Sequence, residues 1–394
     1  MIYADHAATT RPGPEALCAM RVCLEENWGN PSSLHQSGQR AAAALEDARR
    51  RVAACIGASP REIYFTAGGS EADNQALCSA ARAGARRGRT HIVSTAFEHH
   101  AVLHALEALA EEGFEVQLLD VPPDGVVSAA QVAAAIRADT CLVSVMSANN
   151  ELGTVQPVAE LGALCRARGI PFHTDAVQAA GHLPVDVAAQ QVDYLALSAH
   201  KFGGPKGAGV LYARRGLPVA PLIRGGAQER GQRGGTENLP ALAGMAAALE
   251  ASCRTLEAEA RRLTRLRDRL TDGLSRIPHA ALNGDPARRL PGHVSFCFEG
   301  VEGESLLLLL DEAGICASSG SACTSGSLEP SHVLLAIGRP AELAHGSLRL
   351  TLGPENTEAD VDAILEAVPA AVARLRAMSP LWRDKINGKK PFLL

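Results

Sequence analysis

Between Ile63 and Tyr212 the chain alternates short runs rich in β-branched and aromatic residues with stretches whose apolar residues recur at helical spacing. Seven runs read as strands: Ile63–Phe65, His91–Ser94, Val116–Leu119, Cys141–Val145, Ile170–His173, Tyr194–Ser198 and Gly209–Tyr212. Repeated strand–helix–strand units feed a mainly parallel sheet with helices packed on it, so an α/β fold around a seven-stranded sheet is expected. Local punctuation supports the helices between them. Ser128 stands where it N-caps a helix reaching Ile136, and Gly169 where it C-caps the helix Val158–Arg168. In open sheets of this kind ligands bind beyond the carboxyl ends of the strands, so the residues just after each run are those to read for chemistry.

A single core rarely serves a chain of 394 residues, and a smaller companion domain is expected. A charged helical stretch, Leu239–Leu274, reads as the bridge to it. Beyond that stretch, strands near His293–Phe298 and Ser347–Leu350 mix with helices near Glu304–Ala313, Ser331–Ile337 and Thr357–Met378, which suits a small α+β domain. The expected division is 15–255 for the large domain and 1–14 with 256–394 for the small one; the tail after Trp382 reads as frayed. A net charge of −5 with dispersed basic residues argues against a nucleic-acid partner. No apolar run is long enough to span a bilayer, and the N-terminus lacks the basic-then-apolar order of a secretion signal. Ten cysteines without a C-x-x-C pair read as reduced thiols, and a cytoplasmic location is expected.

Four segments carry the chemistry. In Ser198-Ala-His-Lys-Phe-Gly-Gly, Lys201 follows a strand and precedes a glycine turn, where partial desolvation would free its amine to form an imine. Taken alone, such a lysine is commonly just solvated surface. In Phe172-His-Thr-Asp-Ala-Val-Gln, Asp175 ends a strand; buried there, it wants a cationic partner, although it reads equally as a helix N-cap. In Phe65-Thr-Ala-Gly-Gly-Ser-Glu, a strand, a turn of small residues and a helix start present free N–H groups to an anion, with Gly69 and Ser70 as the candidate contacts. In Glu98-His99-His100, an imidazole follows a strand. His100 and His104 stand four apart, but with no third ligand evident they read as helix-surface residues. Cys323 lies among Ser, Ala, Thr and Gly, flanks that do not suit an inert core cysteine, whereas Cys316 in an apolar stretch reads as packing.

Taken together, the chain resembles the cysteine desulfurase family of fold-type I pyridoxal-phosphate (PLP) enzymes, aspartate aminotransferase-like in fold, and within it the nitrogen-fixation or NifS-like type. The motifs that carry the resemblance run through nearly the whole sequence: Ala7-Ala-Thr-Thr, Gly29-Asn-Pro-Ser-Ser-Leu-His, Asn149-Asn-Glu-Leu-Gly, His173-Thr-Asp-Ala-Val-Gln, Ser198-Ala-His-Lys, Gln228-Glu-Arg-Gly, Gly235-Thr-Glu-Asn and the stretch from Ser318 to His332 around Cys323. The resemblance implies that Lys201 holds PLP as a Schiff base, that Asp175 pairs with the ring nitrogen and that His99 stacks on the ring and shuttles protons. It implies that Gln178 and Asn150 contact ring oxygen and substrate, and that Gly69, Ser70, Ser198 and His200 hold the phosphate. Thr236 would reach the phosphate of a neighbouring subunit, so a homodimer is implied. Arg349 would grip the substrate carboxylate, which suits a guanidinium fork. The sequence departs from the family pattern at His6, after Asp5, and at Ala67 and Gly69 in the anion turn.

The implied reaction takes sulfur from L-cysteine, leaves L-alanine and parks the sulfur as a persulfide on Cys323 for an iron–sulfur scaffold or other acceptor protein, with nitrogenase maturation the destination that the NifS-like type suggests. No fixed metal site is expected beyond a transient contact of Cys323 with cluster iron. A selenocysteine lyase or an aminotransferase would use Lys201, Asp175 and Arg349 as well, but an aminotransferase has no use for Cys323. A sulfur-carrier scaffold without catalysis would not need Lys201, Asp175 and Arg349 together.

Overall fold

The computed structural model describes residues 1–319 and 329–394; Cys323 lies outside the described residues. All seven expected runs are strands of one sheet, ordered Ile63–Thr66, Gly209–Ala213, Tyr194–Ser198, Phe172–Asp175, Thr140–Ser144, His91–Thr95 and Glu115–Leu119. The last five pair in parallel, and Gly209–Ala213 runs antiparallel to both of its neighbours. Two antiparallel pairings in succession turn Ile63–Thr66 back to the common direction. Six strands therefore deliver their carboxyl ends to one edge.

Both faces of this sheet are buried, which is why its strands read as near-continuous apolar runs. Ile92, Leu142, Ala196 and Leu211 face one side, where they pack with Ala76, Leu77 and Ala80 of helix Gly69–Ala85 and Leu106 and Leu109 of helix His100–Glu111. Their neighbours Val93, Val143, Leu197 and Val210 face the other side, against Leu45 and Val52 of helix Gln36–Cys55, Leu161 of helix Val158–Arg168 and Leu242 and Met245 of helix Leu239–Leu274. The expected caps form. Ser128 Oγ accepts from Gln131 N at 3.2 Å, and Gly169 adopts φ 65°, the left-handed conformation that glycine enters without a Cβ penalty.

A second group of elements surrounds a three-stranded antiparallel sheet in which His293–Phe298 lies between Ser347–Thr351 and Ala280–Leu282. Phe296, Phe298, Leu348 and Leu350 pack there with Leu266 and Leu270 of the long helix, Leu306 and Leu310 of helix Gly303–Glu312, and Ile364 and Val368 of helix Glu358–Met378. The N-terminus joins this group through Ile2–Tyr3, paired in parallel with Ile315–Cys316.

Two expectations are corrected. The strand expected at Ile170–His173 is Phe172–Asp175: Pro171 has no N–H to donate, and Thr174 and Asp175 pair with Leu195 and Ala196. The tail after Trp382 is not frayed. Helix Pro380–Ile386 carries Lys385 to the buried carboxylate of Glu299, which also accepts from Leu393 N at 2.7 Å, and Phe392 stacks on His279 at 4.0 Å.

Candidate active site

The edge where six strands end holds a cavity of about 300 Å³, lined by residues that follow five of them: Gly69 and Ser70; His99; Met146, Ala148 and Asn150; Val177 and Gln178; and His200 and Lys201. Asp175 and Ser198, the last residues of their strands, also line it. Ala7 and Ala8 from the N-terminal segment and Arg349 from strand Ser347–Thr351 close the opposite side. Every expected site residue among those described lies here except Thr236, which is exposed outside the cavity.

The centre of the cavity is an amine beside a buried acid. Lys201 Nζ donates to the carbonyls of Ala7 at 2.7 Å and Ala8 at 2.8 Å. Asp175 is 7% exposed, and its Oδ1 accepts from Val177 N at 2.8 Å. No helix follows Asp175, so the helix N-cap reading does not hold. Burial raises its carboxyl to about 6, opposed by the Val177 bond and by the charge of Lys201. A cation delivered to this acid would therefore be strongly favoured. His99 Nδ1 accepts from Ala101 N at 3.1 Å, which leaves the ring proton on Nε2, and burial together with Lys201 holds the imidazole down at about 4, so the ring is neutral.

An anion end adjoins the centre. Helix Gly69–Ala85 begins at the cavity wall, and the space around its first residues is bordered by Ser70, Ser198, His200, Thr9 and Lys206. Free N–H groups of a helix start and a nearby ammonium both attract anions. Gly69 is required by space: a Cβ there would lie 2.5 Å from Val177 Cγ2 and 3.5 Å from Ser198 Cβ. His200 Nδ1 bonds Thr9 Oγ1 at 3.2 Å, and burial holds that imidazole neutral as well, near 4.

At the remaining side, Arg349 is 3% exposed, with Nη1 donating to Asn150 O at 3.0 Å and Nη2 to Asp5 Oδ1 at 2.9 Å. Ser318 Oγ donates to the other oxygen of Asp5 at 3.0 Å. Gln178 Nε2 is turned to Ala7 O at 3.0 Å, tying the sheet edge to the N-terminal segment.

Several residues of the site escaped the sequence reading. Asp73, in the second turn of helix Gly69–Ala85, lines the cavity at 1% exposure, its carboxyl raised by burial and by Asp175, and sits 3.3 Å from His173 Nε2. Glu98 is fully buried, accepts from Thr95 Oγ1 at 2.7 Å and Met146 N at 3.0 Å, and is pushed up to about 8 by burial. Asp5 and Lys206 were also missed, although Lys206 lies in the very glycine turn that drew attention to Lys201. The rings of His100 and His104 lie 5.0 Å apart, tilted by 32°, and the His332 ring lies 4.5 Å from His100; among the described residues no three ligand side chains are gathered to hold a metal. Among the described residues, too, no helix is long and apolar enough to cross a membrane.

Residues 2–364 match the family model described as aminotransferase class-V. The chain is 50% identical over 392 residues to the cysteine desulfurase IscS of Clostridium botulinum, covering 99% of this chain and 98% of that one. It is 51% identical over 380 residues to the cysteine desulfurase IscS of Methanosarcina thermophila, covering 96% and 94%. Among solved structures, a NifS-like protein superposes with a TM-score of 0.89 at 37% identity, covering 95% of this chain and 99% of that one.

Proposed function

The chain belongs to the aminotransferase class-V family, and from that premise we propose that it is a PLP-dependent cysteine desulfurase. L-cysteine and the thiol of Cys323 give L-alanine and a Cys323 persulfide, so the sulfur atom changes partner and no external oxidant is consumed. The observation that carries this reading is the convergence of Lys201, the buried acid Asp175 and the Gly69 helix start on one cavity. That set matches three functional groups of pyridoxal phosphate: an aldehyde for an amine, a protonated ring nitrogen for a carboxylate, and a phosphate for a helix N-terminus. When bound, the cofactor withdraws electrons from the substrate α-carbon and so loosens the bond to sulfur.

The residues divide the remaining work. Asp175 would hold the ring-nitrogen proton; Gly69, Ser70, Ser198 and His200 would hold the phosphate, with Thr236 completing the site of a neighbouring subunit in a homodimer. Lys201 Nζ, pointed at two carbonyls of the N-terminal segment, is kept at the cavity and moves the α-proton. His99 would stack on the ring, and its neutral imidazole, with Nδ1 occupied by Ala101 N and the proton on Nε2, would shuttle protons there. Arg349 binds the substrate carboxylate, and Asn150 and Gln178 orient substrate and ring oxygen. Cys323 takes the sulfur and passes it to an acceptor. We place the enzyme in the cytoplasm and in iron–sulfur cluster assembly, with a nitrogenase-related scaffold as the narrower proposal. We also take 15–255 as the cofactor-binding domain and 1–14 with 256–394 as the domain that carries Cys323.

The test is a parallel assay of sulfide and alanine released from L-cysteine in the presence of a thiol reductant. Wild type should give equal yields. Cys323→Ala should give near zero of both while the bound cofactor keeps its visible absorbance; unchanged sulfide release from the variant would exclude Cys323 as the sulfur acceptor. A strong preference for selenocysteine over cysteine would move the assignment to a selenocysteine lyase.

A further inference from the structure

Helices Gln36–Cys55 and Leu239–Leu274 pack side by side, and one ion pair fixes how they face: Arg51 Nη2 lies 2.6 Å from Glu250 Oε2. Four residues after Arg51 comes Cys55, and three after Glu250 comes Cys253. Residues three and four apart share a helix face, so the ion pair and the two cysteines lie on one seam. The contact is direct. Cys253 Sγ donates to Cys55 O at 3.9 Å, the two side chains are neighbours, and both are half-buried against the large core. Neither cysteine lines the cavity assigned above, and the proposed reaction uses neither.

Facing thiols are not equivalent. The neighbouring Cys55 side chain holds Cys253 below the ordinary thiol range, and the same contact, with burial, pushes Cys55 up. A thiolate is the nucleophile of thiol chemistry, and where two thiols adjoin, one that has been oxidised stands within reach of attack by the other.

We propose that Cys55 and Cys253 are a redox pair that closes a disulfide between these two helices when the protein meets a hydroperoxide. The Cys253 thiolate attacks the terminal peroxide oxygen, the O–O bond breaks, and the alkoxide leaves as an alcohol once protonated; Cys253 becomes a sulfenic acid. The Cys55 sulfur then attacks that sulfur and expels the oxygen as water. Two thiols lose two protons and two electrons in all, and one hydroperoxide is reduced to alcohol and water. The bridge staples two segments that flank the whole cofactor-binding sheet in sequence, and Ser252, next to Cys253, donates to Phe202 O at 3.2 Å, just after Lys201.

The experiment exposes the cofactor-loaded protein to tert-butyl hydroperoxide, blocks remaining thiols with iodoacetamide and maps peptides without reduction. The expected result is a cross-linked pair containing Cys55 and Cys253, lighter by two hydrogens, undone by dithiothreitol, absent in Cys55→Ser and in Cys253→Ser and still formed in Cys18→Ser. The bridged protein should unfold several degrees above the reduced one, because the link closes a long loop of the unfolded chain. Full alkylation of both residues after the exposed Cys18 has been oxidised would overturn the proposal, as would stable sulfinic acid on Cys253 with no bridge.

Discussion

Arg349 Nη2 and Asp5 Oδ1 are 2.9 Å apart, although 344 residues separate them in the chain. The pair is almost fully withdrawn from water on the arginine side, and the guanidinium keeps a second bond to Asn150 O while its Nε finds no hydrogen-bond partner among the described residues. Asp5 thus fixes the fork from one edge and leaves donors for a carboxylate at the other.

Replacing Asp5 with Asn should free Arg349 to swing without removing its charge. The KM for L-cysteine should rise by about 5–10-fold with kcat within about twofold, the pattern of lost ground-state positioning. Steady-state alanine production checks this, and a fall in kcat at unchanged KM would refute it.

Gly69→Ala places a methyl 2.5 Å from Val177 Cγ2 at the anion end. The helix start must move or the valine must turn, and either displaces the N–H groups proposed to hold the phosphate. Cofactor affinity, followed by absorbance titration of the cofactor-free protein, should weaken by roughly tenfold, while far-ultraviolet circular dichroism stays as in wild type.

Glu98 links the site to pH. Burial raises its carboxyl to about 8, above the ordinary glutamate value of 4.5 that holds in the unfolded chain. The folded state therefore binds this proton more tightly, so the stabilisation is complete below about 4.5 and is lost as the pH climbs through about 8. In urea unfolding, Glu98→Gln should flatten that slope, and the stability difference between wild type and variant should change by roughly 3 kcal/mol between pH 5 and 8. Parallel slopes in the two proteins would show that Glu98 is not the titrating group.

Arg49 and Glu229 form a buried pair in which Nη1 and Nη2 donate to the two carboxylate oxygens at 2.7 and 2.8 Å, and Glu229 also accepts from Phe65 N at 2.9 Å. Arg49→Met keeps the packing over Phe65 but strands the carboxylate. The expected cost is about 3–5 kcal/mol in unfolding free energy; a change under about 1 kcal/mol would mean that the carboxylate takes up a proton or water in place of the arginine.

Much of this architecture was legible locally. A strand buried on both faces must be apolar at nearly every position, so Tyr194–Ser198 and Gly209–Ala213 announce themselves within five residues each. Residues placed at or just past a strand end inherit the sheet edge, which is why Lys201, Asp175, His99 and Gly69 stand out as candidates by position, while the roles expected of them come from the resemblance to the cysteine desulfurase family. The end of the chain was misread for the opposite reason. The helix Pro380–Ile386, seven residues long, is too short for a periodic pattern to advertise it, and its Lys385 is held by Glu299, a residue of a distant segment.

By itself, then, the order of residues determined the sheet, the edge at which its strands end and the amine, acid and glycine turn delivered there, because each depends on neighbours a few positions away. Only the tertiary structure decided that Asp5 would restrain Arg349, that Asp73 and Glu98 would be buried as raised carboxyls beside the cavity, and that Cys55 would meet Cys253. Those features are set by which segments pack together and by how much water is left between them, quantities that no periodicity along the chain records.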